Sequence, residues 1–327
     1  MRPSRSSLAL VVACAGVARP AAGQTSGTIA EGGAAFLLVA VGARATALGQ
    51  AATADAGSPE AAFWNPAGLA LLLESEMAAH YATTFASTNT VLSGYLSSTT
   101  IGVVGLAAYL VDYGAQEVVP GPGLPPSGRI SPRNVEMLAS YATSLGGQFS
   151  FGVNYKLIQL RYDCSGDCGV LQSLVGTTHG VDVGVQYGGT APTGLRWGLA
   201  LRHAGLPLQV QNAPQADNLP TQLAAGGAYR VRLPQPEGAQ PAFARLLVSA
   251  ENPCCATLDP DLRVGAELGY GEAVRLRGGY AFLHSESRGP SIGAGLQMGR
   301  LVVDFARVFF TSGTLDEPVY LTLRVTL

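Results

Sequence analysis

From about Ser75 to the C-terminus, apolar and polar residues alternate with a period of two. Phe149, Phe151, Val153, Tyr155 and Leu157 are separated by Ser150, Gly152, Asn154 and Lys156. Val181, Val183, Val185 and Tyr187 alternate with Asp182, Gly184 and Gln186, and Leu262, Val264, Ala266, Leu268 and Tyr270 with Arg263, Gly265, Glu267 and Gly269. Successive side chains of a strand point to opposite faces, so each stretch is a strand with one apolar and one polar face. Traced through the region, the pattern predicts about fourteen strands, near 75–86, 88–98, 99–112, 134–145, 148–163, 177–189, 194–204, 220–233, 241–251, 260–271, 272–284, 288–299, 300–310 and 317–327. Each suffices to cross a bilayer as a tilted strand, which takes about 9–11 residues.

Tight turns around Ser98, Gly146-Gly147, Gly271-Glu272 and Gly299-Arg300 largely alternate with longer loops at 113–133, 164–176, 205–219 and 252–259. Pro234–Pro241 is the main departure from the short class. Short turns at one end and long loops at the other are what an even-stranded outer-membrane barrel requires. The last strand fits a lipid-facing closing strand: Val319, Leu321, Leu323, Val325 and Leu327 face one way, and Tyr320, Thr322, Arg324 and Thr326 the other. The predicted fold is therefore all-β, a transmembrane antiparallel barrel of about fourteen strands. Its expected partners are outer-membrane lipid and, for insertion, the barrel-assembly machinery, whose C-terminal signal the last strand resembles although Leu327 replaces the usual aromatic.

Composition narrows the alternatives. Charged residues make up 13% of the 327 residues and apolar residues 47%, with 42 glycines. Mean hydropathy is +0.24, yet the longest apolar runs, Leu8–Ala18 and Gly33–Ala43, are about half of what a spanning helix needs. High apolar content with a net charge of −2 excludes disorder. The balance of 20 Lys+Arg against 22 Asp+Glu leaves no basic excess for nucleic acid. A soluble exported all-β protein remains the alternative outside the membrane.

The N-terminus reads as an export signal over 1–23, with Arg2 and Arg5 ahead of an apolar run and Ala21-Ala22-Gly23 as the cleavage site. Val11-Val12-Ala13-Cys14 offers lipidation at Cys14 as the rival. In an oxidising compartment, Cys164, Cys168, Cys254 and Cys255 are disulfide candidates. Cys164 and Cys168 could close a small loop, and Cys254-Cys255 could pair with each other or with the first two. No His lies near either pair, so no metal site is expected.

Charge on a lipid face would cost about 2–4 kcal/mol per Arg or Lys at mid-membrane, so the strand charges must point into the lumen. Arg196, Arg202, Arg230, Arg263, Arg275 and Arg277 fall on that face with Glu267, as do Arg232, Arg245, Arg324, Glu76, Glu136, Asp182, Glu251 and Asp304. The mixed signs favour a paired network over an anion-attracting channel lining. Arg307 breaks the register of its strand, which suggests a bulge or a position near the membrane interface.

Residues 24–73 differ from the barrel region 74–327. They are rich in Ala and Gly, and about fifty residues ahead of a barrel suit a hatch inside the lumen. Asn65-Pro66 forces a turn, and Trp64 needs burial with its indole N–H paired. Here the chain resembles a known family. Gly33-Ala34-Ala35-Phe36-Leu37, Gly42-Ala43-Arg44, Ala47-Leu48-Gly49 and Trp64-Asn65-Pro66-Ala67-Gly68-Leu69 are similar to the N-terminal signature of the PorV/PorQ family of FadL-like outer-membrane proteins. The resemblance covers about 40 residues. It implies a fourteen-stranded barrel with an inner hatch, built here around Phe36, Gly42, Arg44, Gly49, Trp64, Asn65, Pro66 and Gly68. It also implies an accessory or shuttle role in protein export, with secretion-system partners, or FadL-like uptake of a hydrophobic ligand.

No enzyme is expected. Only four His exist, His80, His179, His203 and His284; His80 shares the inner face with Glu76 but reads as an ordinary lumen hydrogen-bonding residue. The Gly-rich stretches lie inside strands, where they mark close packing or bending and not phosphate loops. No cofactor is expected.

Overall fold

The computed structural model describes residues 33–84, 86–169, 173–188, 193–209, 216–254, 256–285, 287–311 and 316–327. The export signal over 1–23 and the start of the following segment lie outside the described residues. The alternating stretches form fourteen long strands: β1 Glu76–Thr83, β2 Thr88–Ser98, β3 Gly102–Asp112, β4 Gly128–Leu145, β5 Phe149–Gly166, β6 Leu174–Tyr187, β7 Gly194–Gly205, β8 Gln222–Leu233, β9 Ala242–Pro253, β10 Asp261–Tyr270, β11 Val274–Phe282, β12 Gly289–Met298, β13 Leu301–Val308 and β14 Val319–Thr326. They match the expected strands one for one.

Each strand pairs antiparallel with its sequence neighbours. The seam is closed by β1 against β14, in register from Glu76 opposite Thr326 to Thr83 opposite Val319. No edge is left along the wall, the condition for a sheet in lipid, where an unpaired backbone group costs several kcal/mol. The turns at 99–101, 146–148, 271–273 and 299–300 lie at one end of the barrel. The longer connections leave from the other end, which the usual barrel rule places outside the cell.

The two faces are inverted relative to a soluble protein. Leu92, Leu106, Leu246 and Leu276 are exposed on the outside, whereas Asn154, Lys156, Asp182 and Asp304 are fully buried within. That pattern is stable only with hydrocarbon as the outer solvent. The protein is an outer-membrane barrel, and the soluble alternative fails on this arrangement.

Two features depart from the expected strands. First, β4 and β5 run 18 residues each, continuing where loops were expected, to Gly128 and Gly166. Their upper halves pair Ile130 with Cys164 and Arg133 with Arg161. Gln116–Val118 adds a third short strand beside them. Beyond the lipid the ladder needs no apolar face, so the alternation fades while the backbone pairing continues. This arm carries a Cys164–Cys168 disulfide, so the bridge from this pair to the second one is not made. Cys254 is exposed, and Cys255 lies outside the described residues.

Second, the pairing of β6 with β7 slips between Val181 and Val183. There His203 takes a left-handed conformation (φ 57°), and its backbone N–H donates to Asp182 Oδ1 at 2.7 Å. Arg307, which broke the expected register, faces outward at the end of β13. It pairs with Glu317, and its backbone keeps regular register with Ile292 and Val319, so no bulge is present there.

Candidate functional site: the filled lumen

The described part of the N-terminal segment, residues 33–72, lies inside the barrel. It touches inward-facing groups from strands all round the wall: Thr322 on β14, Ser291 on β12, Glu267 on β10, Ser249 on β9, Arg202 on β7, Gln186 on β6 and Asn154 on β5. Its elements are short, as a chain of small residues folded into a confined space must be. They comprise α1 Ala43–Ala47, α2 Ala61–Trp64 and 3-10 turns at Ala35–Leu38 and Pro66–Leu71. None would be stable alone at this length; the wall supplies the missing partners.

Asn65 does two jobs at once. Its Oδ1 accepts from the Ala67 backbone N–H at 3.1 Å and caps the 3-10 turn that Pro66 begins. Its Nδ2 donates to Thr53 O at 2.8 Å and faces Val185 O of β6 and Leu199 O of β7, both at 3.3 Å. The side chain is fully buried, so the Asn-Pro turn is fastened directly to the barrel backbone. Trp64 Nε1 donates to Val41 O at 3.0 Å, the partner its burial demanded, and the Arg202 guanidinium lies over its ring at 5.3 Å. Arg202 also donates to Phe63 O at 2.9 Å. Phe36 and Phe63 pack on Tyr109, with ring centroids 5.9 and 6.3 Å away.

Inward-facing glycines form the seats. A Cβ on Gly152 would overlap the Pro66-Ala67 backbone, one on Gly184 the Asn65 side chain, and one on Gly198 the Thr53 carbonyl. Across the lumen, Gly265 and Gly279 make the same close approach to Leu48-Gly49, and Gly293 to Ala47. The signature glycines serve their own turns. Gly42 (φ +91°) leaves room for the Glu60 side chain, Gly49 (φ +62°) passes against the β10 and β11 backbones, and Gly68 packs beneath Asp55 and Ala61.

The expected lumen charges divide into a network and a mouth. In the network, Arg44 from α1 reaches Asp55 Oδ2 at 2.9 Å and Glu267 Oε2 at 3.0 Å. Arg245 holds the other side of Asp55 at 2.7 Å. Glu267 also binds Arg277 at 2.6 Å, and Arg277 continues to Asp304. Arg202, Glu251 and Arg263 form a second group. Lys156 joins Glu136 at 2.8 Å and Asp182 at 2.9 Å in a third. Buried ions persist only when paired and hydrogen-bonded, and these are. Burial opposes ionisation of both Asp55 and Arg44. Arg245 and Arg44 nevertheless hold the Asp55 carboxyl well below the usual range, and Asp55 and Glu267 hold the Arg44 guanidinium above its own.

Three more of the expected arginines, Arg196, Arg230 and Arg275, stand at the opening of the lumen. With Arg44, Arg245, Glu267 and Phe243 they line a cavity of about 260 Å³ at the turn end of the lumen.

Glu60 was not singled out from the sequence. It accepts from Ala45 N at 3.0 Å at the start of α1, with His80 Nδ1 3.9 Å and Thr322 Oγ1 3.5 Å away. Burial, then the nearby Asp304 charge, raises its carboxyl to about 7. His80 does not pair with Glu76, which binds Arg324 at 3.2 Å; its Nδ1 meets Thr322 Oγ1 at 2.9 Å. The sequence held two further signals for these contacts: glycine at inward parity in β5, β6, β7, β10, β11 and β12, and acidic residues inside an otherwise Ala-rich segment.

The sequence matches no protein-family model and no curated relative. The structure does have likenesses. It superposes on the Ralstonia pickettii toluene transporter TbuX with a TM-score of 0.56 at 14% identity, covering 88% of this chain and 98% of that one. The CymD monoaromatic hydrocarbon channel gives 0.57 at 12% identity, covering 89% and 98%. The Pseudomonas putida toluene transporter TodX gives 0.55 at 12%, covering 88% and 98%. The fold is the one these three proteins share. Identities this low speak for the fold alone.

Asn65→Ala removes the cap and the donor to three carbonyls, so it should weaken the seating of the segment by about 1–3 kcal/mol. Leak conductance in planar bilayers should rise for Asn65→Ala and Pro66→Ala; wild-type conductance in both would separate this motif from lumen closure. The Glu60 carboxyl titrates higher in the folded protein than in the unfolded chain. Its contribution to seating is therefore fully present below the ordinary carboxylate range and is lost as pH rises towards about 7. Leak should increase over that window in the wild type and stay flat in Glu60→Gln; parallel pH curves for the two would contradict this.

Proposed function

We propose that this barrel passes hydrophobic small molecules across the outer membrane, with the N-terminal segment acting as a hatch. The observation that carries this reading is the combination of a lipid-sealed wall with a lumen closed by a fastened segment of small residues. Proteins described as toluene transporters and a monoaromatic hydrocarbon channel share the barrel fold. A hydrophobic solute gains little from an open aqueous pore, whereas a closed lumen prevents leakage of everything else. The hatch fits that need, because its hold is made of identifiable contacts, among them those of Asn65 and the Arg44–Asp55–Arg245 link.

The export-shuttle reading rests on the PorV/PorQ-like motifs of residues 33–69 alone. Those motifs are explained here by seating in the lumen, and the neighbours named above are transporters and channels, so passage is the preferred reading. The same neighbours accord with a non-enzymatic protein. Insertion by the barrel-assembly machinery, through β14, belongs to the proposal as well.

Cells expressing the protein should take up radiolabelled toluene or oleate severalfold faster than cells lacking it. Equal rates for both compounds, with the barrel present and heat-modifiable in the membrane fraction, would overturn the passage reading.

A further inference from the structure

We infer that Glu60, Thr322 and His80 form a proton relay, a pH-operated latch between the seated segment and the seam of the barrel. His80 on β1 and Thr322 on β14 stand opposite each other in the strand pair that closes the wall. Glu60 reaches both from the segment: Thr322 Oγ1 lies 3.5 Å and His80 Nδ1 3.9 Å from its Oε1. The same carboxyl accepts from the backbone N–H groups of Ala45 at 3.0 Å and Arg44 at 3.4 Å. Ala43 N donates to Thr322 Oγ1 at 2.9 Å. The start of α1 is thus tied to the seam through three buried side chains.

Charge pairing sets Glu60 apart from the other buried acids of the lumen. Asp55, Glu267, Glu251, Glu136, Asp182 and Asp304 each hold an arginine or lysine. The charges facing Glu60 are Arg44 from α1, Asp304 from β13 and Arg324 from β14. Each is engaged elsewhere: Arg44 by Asp55 and Glu267, Asp304 by Arg277 and Arg324, and Arg324 also by Glu76. Among the described residues, His80 on β1 is the one base in ion-pair reach of Glu60. A buried carboxylate without a cation is costly, so the group keeps its proton into the neutral range.

One proton therefore has two homes. With Glu60 neutral, its O–H donates to Thr322 Oγ1, which also accepts from Ala43 N–H and donates its own hydrogen to neutral His80 Nδ1, 2.9 Å away. As the Glu60 proton passes to Thr322 Oγ1, the Thr322 proton passes to His80 Nδ1. A carboxylate and an imidazolium result, and only O–H and N–H bonds are made or broken. The other ring nitrogen, Nε2, is the way out. It borders a cavity of about 10 Å³ lined also by Asn89, Tyr109 and Tyr320, space for about one water. His80 Nε2, Asn89 Nδ2 and Tyr109 OH are buried there without a hydrogen-bond partner among the described residues. Through this port the relay exchanges its proton with solvent. Once that proton is lost, an unpaired carboxylate faces Asp304 and the start of α1 is released.

Infrared titration of the full chain in lipid nanodiscs reads the relay directly. The carboxyl C=O band of Glu60, assigned by its loss in Glu60→Gln, should fade with a midpoint near neutrality. His80→Phe removes the base and should raise that midpoint by about one pH unit; Asp304→Asn removes the like charge and should lower it by about as much. A purely structural role at the seam would not move the two midpoints in opposite directions. Above the wild-type midpoint, amide exchange over residues 43–47 should run about tenfold or more faster than in Glu60→Gln at the same pH. A band that fades in the ordinary carboxylate range, midpoints unmoved in both variants, or identical exchange in wild type and Glu60→Gln at every pH would each overturn the inference. Solute passage enters neither readout, so the latch and the passage reading fail separately.

Discussion

A polypeptide in hydrocarbon must pair every backbone N–H and C=O with itself, and the closed seam between β1 and β14 is how this chain meets that demand. The other features follow. With no edge to hide, the wall needs only an apolar outer face, hence the Leu, Val and Tyr residues at every second position. The inner face then encloses a space that must be either wet or filled. Here it is filled by residues 33–72, and the polar inner residues are consumed as partners for that segment's backbone and charges.

Filling a barrel with a chain that has little regular structure poses a packing problem, solved from both sides. The segment contributes Ala and Gly, which let it turn tightly. The wall contributes glycines at inward positions, which let the two backbones meet. Where side chains intervene they meet as ion pairs, as in Arg44–Asp55–Arg245, or as hydrogen bonds, as at Gln186 and Asn154. Such links are specific more than they are strong: breaking one partner of a buried pair costs far more than the intact pair contributes. A segment held this way has one well-defined seat.

The wall was legible in the sequence because its period of two is imposed by lipid over some 250 residues. The upper halves of β4 and β5 were not, because beyond the lipid nothing rewards alternation. The bulge at His203 escaped because a single residue in a left-handed conformation leaves no periodic trace. Inside the lumen, Trp64, Asn65 and Pro66 announced a buried turn, and the structure shows what that turn holds. Glu60 and Asp55 stayed hidden, since their roles depend on Thr322 and Arg245, more than 180 residues away in sequence. The mixed signs on the inner face pointed to a paired network. In the structure Arg202, Arg263, Glu267 and Arg277 are ion-paired inside the barrel, and Arg196, Arg230 and Arg275 line its mouth.

The whole account rests on closure of the wall, and the seam is where closure can be seen. Amide hydrogen exchange of the full chain in lipid nanodiscs measures it directly. The account predicts that residues 76–83 and 319–326 exchange as slowly as central strands such as β10 and β11. Fast exchange confined to those two segments would mean that they are the free edges of an open sheet.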